Sequence, residues 1–118
     1  MRIEDADPAL RELADRIRTV AEWLTNQPVV FNAGAGWYKA GKPIFIWFKL
    51  VGPKGSKNRN SVLVAATMRD KRLEELSGQL GNNMFGKGHE VSVSASRPKD
   101  LAKCLEFIGR AYLARYET

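Results

Sequence analysis

Near the start of the chain, apolar residues recur at every third or fourth position. Leu10, Leu13, Ile17, Val20 and Leu24 form one stripe, and Arg11, Glu12, Asp15, Arg16, Arg18 and Glu22 take the opposite side. This is the period of an amphipathic helix. Asp7 is placed to cap it, and Pro8 occupies the first helical position, where a missing N–H costs nothing. Asn26-Gln27-Pro28 ends it. From Val29 onward the residues become β-branched and aromatic, punctuated by glycine. The pattern predicts one strand from Val29 to Tyr38, carried through a bulge or bend at Gly34-Ala35-Gly36, since interior glycines weaken a regular ladder. Lys39-Ala40-Gly41-Lys42 reads as a turn. The run 44–51 is the strongest strand, with Ile44, Ile46, Phe48 and Leu50 on one face and Phe45, Trp47, Lys49 and Val51 on the other.

The segment 52–61 has no apolar residue to bury and several turn formers, so it reads as a hairpin loop. A third strand follows over 62–67, then a short helix over 70–80 with Leu73, Leu76 and Leu80 facing inward. Residues 82–88 form a second glycine-rich loop. His89, Val91, Val93 and Ala95 alternate with Glu90, Ser92, Ser94 and Ser96, a strand with one packed and one wet side. The final helix runs over 98–116 on a stripe of Leu101, Leu105, Ile108 and Tyr112. The predicted order is α-β-β-β-α-β-α. Short loops between the first three strands make them antiparallel. The expected fold is α+β: a two-layer domain in which a mainly antiparallel four-stranded sheet carries the terminal helices on one face.

The length of 118 residues fits a single domain spanning 1–118. A balance of 44% hydrophobic and 27% charged residues is that of a globular protein. No apolar run approaches the roughly 20 residues a membrane helix needs, so no membrane partner is expected. The polar, acid-rich start lacks the pattern of a secretory signal. With one lone thiol, Cys104, this points to the cytoplasm.

Charge sharpens the picture. The formal net charge is +6, but the excess is local. Residues 28–72 hold nine basic side chains (Lys39, Lys42, Lys49, Lys54, Lys57, Arg59, Arg69, Lys71, Arg72) against one acid, Asp70. The flanking parts are net acidic or neutral. Such a cluster can create a positive field for phosphates. Trp37, Tyr38 and Trp47 lie nearby in sequence, and an exposed indole can stack a nucleobase. The bland reading is a solvated basic edge that guards the sheet, with tryptophans in the core.

Other chemistry is poorly served. One cysteine and one histidine, His89, exclude paired Cys or His metal sites. Gly34-Ala35-Gly36 and the following glycine at Gly41 lack the helix that a dinucleotide fingerprint requires, and Gly52-Pro53-Lys54-Gly55-Ser56-Lys57 precedes a strand, unlike a phosphate loop. Glu74 and Glu75 are adjacent on a helix and point apart, poor geometry for acid–base work. No catalytic residue, metal or cofactor is therefore expected, and the protein is read as a non-enzyme.

The layout resembles the YjbR-like, or double-wing DNA-binding, small bacterial domains. The stretches that carry the likeness are Gly41-Lys42-Pro43-Ile44-Phe45-Ile46, the segment 69–80 with Leu73 and Leu76, and the segment 91–112 ending in Ala111-Tyr112. The likeness covers most of the chain as an element order and matches individual residues patchily. The loop 52–61 is more basic than the family's, and the loop 82–88 is glycine-rich where the family has a different one. The resemblance implies DNA binding, a label that itself follows from fold.

The expectation is a small basic accessory protein that binds DNA or RNA through the phosphate backbone. Its contacts would be Lys39, Lys42, Lys54, Lys57, Arg59, Arg69, Lys71 and Arg72, with Trp37 and Trp47 beside them. The alternative is a protein–protein interaction module or homodimer, using Trp37, Tyr38, Trp47 or Phe85.

Overall fold

The amphipathic stripe at the start folds as a helix, α1 (Pro8–Thr25), in the computed structural model, which describes residues 1–52, 60–67, 70–77, 80–82 and 89–117. Asp7 caps it as its sequence position requires, its Oδ1 accepting the Leu10 N–H at 3.0 Å. Asn26 closes it in the left-handed conformation. A short 3-10 turn, Ile3–Asp5, precedes the helix. It is anchored to the sheet, because the Ile3 N–H donates to the Tyr38 hydroxyl at 2.8 Å and the Arg2 guanidinium lies 4.4 Å from the Phe31 ring centroid.

The strands are β1 (Val30–Asn32), β2 (Trp37–Ala40), β3 (Ile46–Val51), β4 (Ser61–Ala66), β5 (Leu80–Asn82) and β6 (His89–Ala95), all paired antiparallel. The sheet order is β1-β2-β3-β4-β6-β5. Two further helices, α2 (Lys71–Ser77) and α3 (Leu101–Tyr116), complete the fold, and a 3-10 turn at Pro98–Asp100 leads into α3.

The α+β class, the antiparallel hairpins and the placement of the terminal helices follow the sequence pattern. The four-stranded sheet does not: there are six strands among the described residues. The expected long first strand is two strands. Asn32 Oδ1 accepts the N–H groups of Gly34 and Ala35 at 3.1 and 3.3 Å, and Gly36 adopts φ +76°, so the chain reverses there instead of bulging. Lys39 and Ala40, expected in a turn, belong to β2. The short helix ends at Ser77, and Leu80, expected on its inner side, belongs to β5. The element order is therefore α-β-β-β-β-α-β-β-α.

One face of the sheet makes the core. Tyr38, Ile46, Phe48, Leu50, Val62, Val64, Val91 and Val93 pack under Leu10, Leu13 and Ile17 of α1, Leu73 and Leu76 of α2, and Cys104, Phe107 and Ile108 of α3. Tyr38 stacks on Phe48 with centroids 4.9 Å apart. It is a core residue, which corrects its expected place on a contact surface. Side chains alternate along a strand, so the residues between these point away from the helices.

Candidate functional site

That second face carries several of the residues expected as contacts. Strand register places Lys39 opposite Trp47, and Trp47 opposite Ala65. One step along the ladder, the Lys49 ammonium lies 5.1 Å from the centroid of the Trp37 ring, within reach of a cation–π contact. Two lysines and two tryptophans thus alternate across β2 and β3. Across β1 to β4 this face continues through Val30, Asn32, Val51, Ser61 and Leu63, with no carboxylate among them. Beyond β4 the register adds Ser92 and Ser94.

The two indoles are not equivalent. Trp37 retains 9% of its surface, whereas Trp47 is half-buried. Trp37 therefore offers too little area to stack a base in this conformation, which corrects its expected role, and its part is to seat Lys49. Trp47 stands opposite Lys39 in the ladder and two residues from Lys49 on its own strand. Neither lies under the helices.

The ten expected contact residues do not all converge. Lys39 and Trp47 sit on the second face, and Lys42 is exposed in the turn beyond the end of β2. Lys71 and Arg72 are exposed on α2, in the helical layer on the other side of the sheet. Arg72 is moreover engaged by Glu75 at 3.3 Å and by Glu106 in a closer contact, and hydrogen bonding to Glu106 raises its pKa further. It is a structural link between α2 and α3. Lys54, Lys57, Arg59 and Arg69 lie outside the described residues, as do Phe85 and the side chain of His89. Lys49, counted among the basic residues but not among the expected contacts, shares the face of Trp47. The alternation of the strand 44–51 was the signal that could have found it, since it puts Lys49 on the face of Trp47.

No family model, curated protein or solved structure matches this chain.

Among the described residues no group of His, Cys, Asp and Glu is arranged to hold a metal ion. Cys104 is fully buried, and desolvation pushes its thiol up to about 11, so it is a packing residue and not a nucleophile. No helix among the described residues is long and apolar enough to cross a membrane.

Proposed function

We propose that this protein is a non-enzymatic accessory domain that binds single-stranded nucleic acid on the sheet face opposite its helices. The observation that carries the reading is the alternation of Lys39, Trp47 and Lys49 on a face free of carboxylates across four strands. Ammonium groups spaced along a strand pair suit successive phosphates, and a part-exposed indole between them suits an unpaired base. Lys42 extends the positive edge beyond β2. The segment joining β3 and β4 adds Lys54, Lys57 and Arg59 in sequence. The DNA-binding label of the YjbR-like domains points the same way.

Titration of a fluorescein-labelled single-stranded octadecamer, read by anisotropy at several salt concentrations, tests the proposal. Affinity should fall steeply with salt, because each neutralised phosphate releases a counterion. The double substitution Lys39→Glu with Lys49→Glu should remove most of the binding and leave the far-ultraviolet dichroism unchanged. Binding that ignores salt, or that survives both charge reversals, is incompatible with this reading.

A second reading, a protein–protein module, is favoured by one observation. Trp23 on α1 is 80% exposed. It lies one helical turn beyond Thr19 and Val20, which line a groove of about 550 Å³ between α1 and α3 together with Leu101 and Leu105. Light scattering separates the two readings: a dimer that dissociates in Trp23→Ala, with no nucleic-acid binding, favours the second.

A further inference from the structure

A cavity of about 390 Å³ opens at the β1 edge of the sheet, where the link from α1 and the turn between β2 and β3 meet. Pro28, Val30 and Ile44 supply its apolar lining. Its polar groups are Lys39, Lys42 and the Gln27 amide. Volume and lining fall within the range of small-molecule sites, which are mostly apolar with a few convergent polar groups.

The walls are held from both ends. The Val29 N–H donates to Glu22 Oε2 at 2.8 Å, which ties the link before β1 to α1. On the other side the Phe45 N–H donates to the Ala40 carbonyl at 3.0 Å, and the Tyr116 hydroxyl donates to the Pro43 carbonyl. The turn that presents Lys42 is thus tied to the last turn of α3. Val30 is more than half exposed although it is paired with Lys39 in the ladder, so an apolar wall stands in water beside an ammonium group. No carboxylate lines the cavity, and among the described residues neither lysine has an acidic partner.

Two ammonium groups without a carboxylate suit a dianion better than a single carboxylate ligand, and lysine binds phosphate as a point charge. Apolar walls suit a flat ring. An amide presents both a donor and an acceptor, as the edge of a base does. We propose that this cavity is a binding site for a nucleoside monophosphate unit, with the phosphate between Lys39 and Lys42 and the base against Val30 and Ile44. The unit is either a free nucleotide or the phosphorylated end of a strand. The site shares Val30 and Lys39 with the sheet face and Lys42 with its positive edge, so the two readings are told apart by binding of the free monophosphate against binding of an unphosphorylated strand.

Calorimetric titration with adenosine 5′-monophosphate and with adenosine provides the test, together with anisotropy titration of an octadeoxyadenylate carrying either a 5′-phosphate or a 5′-hydroxyl. The monophosphate should bind and adenosine should bind about tenfold or more weakly, since a charge-assisted contact is lost. Lys42→Glu should abolish monophosphate binding, whereas Lys103→Glu, the same charge change on α3, should leave it intact. Val30→Asp should weaken it independently. A preference for the 5′-phosphorylated strand that disappears in Lys42→Glu identifies a strand end as the source, and equal affinity for the two strands with retained monophosphate binding identifies the free nucleotide. Absence of monophosphate binding, or equal binding by Lys42→Glu, overturns the proposal even if the octamers bind through Lys49. Monophosphate binding without any octamer binding supports the cavity and removes the sheet-face reading.

Discussion

Asp70 receives two hydrogen bonds from Arg110, Nε to Oδ1 at 2.9 Å and Nη2 to Oδ2 at 2.5 Å, while Oδ1 also accepts the Arg72 and Leu73 N–H groups at 3.0 and 3.1 Å. One carboxylate therefore starts α2 and fastens it to α3. Hydrogen bonding from Arg110 holds the Asp70 carboxyl below its ordinary value, and the backbone bonds lower it further against the opposing effect of burial. A group depressed in this way stabilises the fold fully above its ordinary value, and the contribution is lost as pH falls through the depressed one. Thermal melts should show a loss of stability on acidification below about pH 4. Asp70→Asn keeps the capping oxygen and removes the charge, so its melting temperature should be lower at pH 7 and its dependence on acid flatter. Asp70→Ala should lose a further 1 kcal/mol or so through the cap.

The two indoles of the second face should respond differently to truncation. Trp37→Ala removes a nearly buried ring and the seat of Lys49, and should cost about 3 kcal/mol in a urea melt. Trp47→Ala should have a much smaller effect on stability and weaken single-strand binding by about 1–3 kcal/mol, the usual worth of a stacked base. Equal effects of both substitutions on binding, after correction for the folded fraction, would contradict the assignment of Trp47 as the stacking residue.

Charge substitutions should separate by face. Lys39→Gln and Lys49→Gln should each lower the slope of log affinity against log salt by about 1. Lys71→Gln, on α2, should leave that slope unchanged. A slope that falls equally for all three would mean that binding follows net charge and not the sheet face.

Gly41 adopts φ +91°, and a methyl group there would meet the Tyr116 hydroxyl, then Phe45 and the Pro43 carbonyl at 3.0 Å. Gly41→Ala should therefore destabilise by about 1–3 kcal/mol. Tyr116→Phe, which removes the bond to Pro43, should cost about 1 kcal/mol. Because the hydroxyl is the first atom the methyl meets, the double variant should be more stable than the two losses together imply, a coupling that a double-mutant cycle measures.

Cys104 should resist alkylation by iodoacetamide at pH 8 in the native protein and react at the rate of an ordinary thiol in urea. Its burial and raised pKa both act against the thiolate. Rapid native labelling would show that α3 opens locally.

Much of the fold was legible because its signals are local. Asp7-Pro8 starts α1, and its apolar stripe faces the sheet as the period requires. The strands 44–51 and 62–67 are recovered as β3 and β4 to within two residues at either end. The hairpin at 33–36 was missed although Asn32 and Gly36 carry turn chemistry, because two short strands joined by glycines read like one interrupted strand. Strand β5 was missed because three residues are too few to display a period. The candidate site was legible only in part. A charge count shows how many lysines a segment holds, but register decides which face each one joins. Long-range partners such as Glu106, which engages Arg72, leave no mark near the residue they neutralise.

At one border of the sheet the outermost strand, β1, is only three residues long. A border of that length gives an incoming extended segment few backbone groups to pair with, and too little length for a stable added ladder. Growth of the sheet by lateral annexation of another chain is thereby discouraged on that side. On the proposed reading, contact with a partner is left to side chains displayed on the broad surfaces, where selectivity is set by which functional groups protrude.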